Sequence, residues 1–182
     1  MKYLACIALA VLPLQPATAV GGVSTIALPR GVDTIVIPAD SPVTFASRGK
    51  HSGVNFDGRF VLSGTYYYGD AEFNDGPEVM LELTFIPDPA MAARLPYFKE
   101  RGRPHAIFLT NGEALAKAVI PGATLAALNK KGAPYATGKV SILVDKFTTQ
   151  IECDAPEYTA RFISVYKPAV LVALAKSPDT GC

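Results

Sequence analysis

Tryptophan is absent from this 182-residue chain, histidine occurs only at His51 and His105, and cysteine only at Cys6, Cys153 and Cys182. Two distant histidines and two late cysteines have no recognisable ligand spacing, so the sequence predicts no metal site. An excess of either charge is also missing: Lys and Arg total 17 against 16 for Asp and Glu. Nothing in that balance would concentrate the protein on nucleic acid or an anionic membrane surface. Catalytic signatures are missing too. There is no Gly-x-Ser-x-Gly elbow, no His-Glu-x-x-His zinc helix and no phosphate loop, and the sequence therefore predicts no cofactor.

Long hydrophobic runs are lacking except at the start, and that one is short. MKYLACIALAVLPLQPATA has one charge at Lys2, an apolar run from Tyr3 to Leu14 broken by Pro13, and Ala17-Thr18-Ala19 as a small-residue cleavage box. Residues 1–19 read as a secretory signal peptide, too short for the roughly 20 residues that cross a bilayer. The expected mature chain begins at Val20 and is periplasmic or secreted. Cys6 follows Leu4-Ala5 in a fragment of a lipoprotein box, but it precedes any complete apolar run. An oxidising compartment and only two remaining cysteines predict a Cys153–Cys182 disulfide holding the tail.

What is present is strand pattern. Residues 20–52 are rich in Gly, Pro and Ser with short β-branched runs, and read as an extended N-terminal segment; residues 53–182 read as one domain. Phe56, Phe60, Leu62, Tyr66 and Tyr68 share one parity, and Arg59, Val61, Thr65 and Tyr67 the other. That period predicts one long strand with Tyr66 and Tyr68 inward and Tyr67 outward, bent or bulged at Gly64. Further strands are expected at Glu78 to Ile86, His105 to Thr110, Lys139 to Asp145 and Tyr158 to Tyr166. Helical segments flank Pro121-Gly122, and an apolar tail from Ala169 to Ala175 must pack on something.

One long strand, two more, a helical insertion between strands three and four, and a closing pair give the order of a small five-stranded OB-like barrel, with a small β-sandwich as the alternative. In such barrels ligands cross the second and third strands between two loops. Here those loops carry Asp70, Glu72, Asp75 and Glu78, then Glu152, Asp154 and Glu157. They would repel phosphate, which excludes nucleic acid as the expected ligand. As a calcium site they lack EF-hand spacing, so solvated loop charge is the simpler reading.

The candidate ligand-binding residues are Tyr67, Arg59, Glu82 and Arg161, outward on their strands, and His105 at the start of the third. The basic stretch from Lys99 to His105 is the only positive cluster; it reads as a solvated connection rather than an anion site. These features predict an exported binding module without catalytic activity, taking a protein or neutral polymer of the cell envelope. The alternative is a small envelope hydrolase in which His105 acts as base beside a loop carboxylate.

Overall fold

The computed structural model describes residues 22–28, 33–49, 53–71, 76–169 and 172–176. The expected signal peptide, His51, Glu72, Asp75 and Cys182 lie outside the described residues. In chain order the strands are β1 (Ser24–Ala27), β2 (Thr34–Ile37), β3 (Thr44–Arg48), β4 (Val54–Asp57), β5 (Phe60–Asp70), β6 (Leu81–Pro87), β7 (Tyr97–Phe98), β8 (Ile107–Leu109), β9 (Tyr135–Glu152), β10 (Ala155–Lys167) and β11 (Ala173–Ala175). Among the described residues three helices intervene: α1 (Pro89–Ala92) before β7, then α2 (Gly112–Val119) and α3 (Gly122–Leu128) between β8 and β9.

Five strands close a ring. β6 pairs with β5, β5 with β9, β9 with β10, β10 with β8 and β8 with β6; only the β8–β10 step is parallel. This is the OB order expected from the sequence, with α2 and α3 as the insertion. The pairings return to the strand they start from, so the sheet is barrel-like. Around the ring the pairing runs from Thr137 of β9 through Tyr67, Thr84, Phe108 and Thr159 to Thr148, back on β9 eleven residues along. A stagger of that kind tilts the strands and lets side chains fill the interior.

Backbone conformation makes the closure possible at two points. Lys146 has a positive φ of 50° where β9 bulges against β10, between the pairs Thr148–Thr159 and Asp145–Arg161. Gly58, at φ 136°, separates β4 from β5. The bend therefore falls at Gly58 and not, as the sequence suggested, at Gly64. Gly64 stays in regular register between Val140 and Pro87, where a Cβ would lie 2.2 Å from the carbonyl oxygen of Ile86. It is glycine because two strands approach too closely for a side chain.

The three tyrosines divide as their parity requires. Tyr66 and Tyr68 are buried and Tyr67 is half-buried on the outside. The Tyr66 hydroxyl has no hydrogen-bond partner among the described residues, and burial pushes its pKa up.

Strands of the N-terminal segment pack on the barrel. β1, β2 and β7 form a small sheet, and Leu28, Ile35 and Phe98 belong to the same buried cluster as the barrel interior. A chain of rings joins them: Phe98 lies 6.1 Å from Tyr158, which stacks on Phe147 at 6.3 Å, which meets Phe56 at 5.8 Å. Each such pair adds roughly 0.5–1.5 kcal/mol beyond the area it buries. Tyr158 accepts a hydrogen bond from the Phe98 N–H at 3.3 Å, and burial pushes its pKa up to about 12.

The apolar tail covers an edge. β11 continues the line of β10 along β9, pairing Ala173 with Thr137 and Ala175 with Tyr135. Cys153 is an exposed free thiol, no disulfide is seen among the described residues, and Cys182, its expected partner, lies outside them. Cys153 and Asp154, both with positive φ, make the two-residue turn between β9 and β10, while β11 lies at the other end of the 18-residue β9 and runs away from that turn.

Candidate functional site

The face that carries Tyr67 is the outer surface of β5, β6 and β8. Tyr67 stands opposite Thr84, and Thr84 opposite Phe108. Directly paired residues share a face, so the two half-buried rings flank one threonine at about 10 Å, two strand spacings of roughly 4.8 Å. Thr84 is 9% exposed and forms the floor between them. Phe108 was not singled out from the sequence. The signal was there: Ile107 and Leu109 turn inward, so the residue between them must turn out.

Two residues further along β6, Ile86 opens into an apolar groove of about 310 Å³ walled by Pro87, Pro89 and Pro104, with Arg103 and His105 as its polar side chains. Three prolines make this wall stiff and poor in backbone donors. Arg103 is already engaged: it donates to the Ala93 carbonyl at 2.5 Å, and its guanidinium lies 4.0 Å from the Tyr97 ring centroid. His105 is exposed, and no carboxylate is among the described residues lining the groove.

Acidic side chains flank this surface. Glu82 lies on the outward parity of β6, and loss of hydration pushes its carboxyl up. Glu157 is raised by burial first, then by the hydrogen bond and charge of Glu152, with the charge of Glu82 adding to it. Gln150 donates to both Glu152 at 3.0 Å and Glu157 at 3.2 Å, holding the two carboxylates together. Among the described residues no group of three or more His, Cys, Asp or Glu side chains converges as a metal site.

Arg59 and Arg161 form a different cluster around Asp145. Arg161 donates through Nε and Nη2 to the two carboxylate oxygens at 2.8 and 2.7 Å, and this hydrogen bonding holds the Asp145 carboxyl below the usual range. The charges of Arg59 and Lys146 act in the same direction. Arg161 is thus a strand clasp between β9 and β10, and Arg59 an exposed cation beside it. Of the five sequence candidates, Tyr67, Glu82 and His105 border the β6 face, and the two arginines surround Asp145.

The basic stretch is likewise structural. Arg101 pairs with Asp33 at 3.1 Å and donates to the Asp154 carbonyl, tying β7, the approach to β2 and the β9–β10 turn together. No protein-family model, no curated protein and no solved structure matches this chain. No helix among the described residues is long and apolar enough to cross a membrane.

Proposed function

We propose that the protein is an exported binding module without catalytic activity, taking a protein segment or neutral polymer of the cell envelope across the outer face of β5, β6 and β8. The observation that carries this reading is the row of Tyr67, Thr84 and Phe108, running on to Ile86 and the proline-walled groove. Two rings about 10 Å apart over a small floor offer flat apolar contact to a sugar ring or a side chain. The acidic flank of Glu82, Glu152 and Glu157 repels phosphate and favours a neutral or basic ligand. Export rests on the signal-like residues 1–19 and their Ala17-Thr18-Ala19 box.

The test is a binding screen of neutral glycans and uncharged or basic peptides, with Tyr67→Ala and Phe108→Ala as probes. A ligand whose affinity falls roughly tenfold in either variant supports the face, in line with the worth of one aromatic contact. Binding untouched by both substitutions, or turnover of the ligand, refutes it.

A further inference from the structure

The inward row that contains Tyr68 runs one residue too far. Leu83, Tyr68 and Ala136 are opposite one another on β6, β5 and β9, and all three are buried. The next residue in the row is Leu174, opposite Ala136 on β11, and it is 61% exposed. The difference is that β11 has no neighbour on its outer edge among the described residues.

Within the strand, shortness is the one protection that edge carries. Ala173–Ala175 contains no charge and no proline, and its pairing with β9 has no bulge; charges, prolines and bulges are what blunt edges against strand addition. Beneath Leu174 lies an apolar groove of about 280 Å³ shared with Ala123, Ala127, Leu128 and Pro134.

We infer that the open edge of β11 pairs with β11 of a second copy of this chain. The strand is self-complementary: an antiparallel pairing centred on Leu174 sets Leu174 opposite the partner's Leu174, Ala173 opposite the partner's Ala175, and Lys176 opposite the partner's Val172. No like charges meet. The partner's Leu174 enters the row beside the groove, and the inward row ends in two leucines that cover each other.

The experiment is sedimentation velocity of the purified protein over a concentration series up to about 200 µM, a range that reveals even a small, transient interface. A dimer is expected, with a dissociation constant at least roughly tenfold higher in Leu174→Arg and nearly unchanged in Leu174→Ile. Ala127→Arg, on an exposed position of α3, reads the groove independently and should weaken the dimer as well. Leu174 is exposed, so the arginine variants should keep the wild-type circular dichroism spectrum. A wild-type monomer throughout the series, or a dimer indifferent to both arginine substitutions, overturns the inference.

Discussion

Replacing Gly64 with alanine sets two principles against each other. In an ordinary strand interior alanine is favoured over glycine by roughly 0.5–1 kcal/mol, because glycine loses more backbone freedom on folding. At Gly64 the added Cβ would stand 2.2 Å from the Ile86 carbonyl oxygen, 2.7 Å from Cε1 of Phe85 and 2.9 Å from Cα of Pro87. Two of these neighbours are backbone, so β6 must move by about 1 Å where it pairs with β5. Overpacking of that kind costs ~1–3 kcal/mol, and each ladder hydrogen bond weakened adds about 1 kcal/mol. The sum, less the entropic gain, is a destabilisation of about 3 kcal/mol, or roughly 6–12 °C in Tm for a chain of this size. Gly122 provides the control. It begins α3, its Cβ would meet nothing within 4 Å, and Gly122→Ala should stabilise by ~0.5 kcal/mol. Urea melts of both variants make the comparison. A Gly64→Ala protein as stable as wild type would refute the close-approach argument.

Two other variants probe contacts that only the folded chain creates. Asn111 accepts from the Phe162 N–H at 2.8 Å and donates to the Phe162 carbonyl at 2.9 Å, extending the β8 ladder along β10 with a side chain; Asn111→Ala should cost about 2 kcal/mol, and Asn111→Asp a similar amount because its carboxylate faces that carbonyl. Equal stability of Asn111→Asp and wild type in urea melts would count against the two-point contact. Stability should also peak in mildly acidic solution. The raised carboxyls of Glu82 and Glu157 disfavour folding at neutral pH, and that penalty disappears as pH falls through their folded values. The lowered carboxyl of Asp145 contributes above its unfolded value near ~3.9, and that contribution is lost as pH falls through the folded one. Glu157→Gln should flatten the neutral limb of a urea midpoint-versus-pH curve and Asp145→Asn the acidic limb; a monotonic wild-type curve would contradict both assignments.

The alternation that places Tyr66 and Tyr68 inside and Tyr67 outside is legible because β5 keeps one register through Gly64. What makes Gly64 necessary is not legible, since the obstructing carbonyl belongs to Ile86, far along the chain. The same limit hides the extent of β9. Thr148, Thr149 and Gln150 resemble a polar loop, yet Thr148 shares a hydrogen bond with Thr159 at 2.7 Å and Thr149 pairs with Val54 and Tyr158 on either side. Asn111 is the sharpest case. Local rules assign its side chain to capping α2, but it makes no cap hydrogen bond because the Phe162 backbone claims it. For the candidate face, parity finds Tyr67 and Glu82, but only the ring order shows that Phe108 completes the row with Tyr67 and that Arg161 is committed to Asp145.

The proposed ligand face and the proposed dimer edge are one residue apart in register and on opposite sides of the same sheet. Tyr67 pairs with Thr137 and Thr137 with Ala173 in the outward row; Tyr68 pairs with Ala136 and Ala136 with Leu174 in the inward row. A partner strand added at β11 therefore extends both rows, but its apolar contact is made on the inward side. On the outward side the added strand sits three strand positions beyond β5, while the rings and the groove lie on β5, β6 and β8, in the other direction. Pairing through β11 should leave both ligand faces open, so each dimer should bind two ligands with the affinity of the Leu174→Arg monomer. A ligand that binds only one site per dimer, or that shifts the monomer–dimer equilibrium, would show instead that the two surfaces are coupled through β5 and β9.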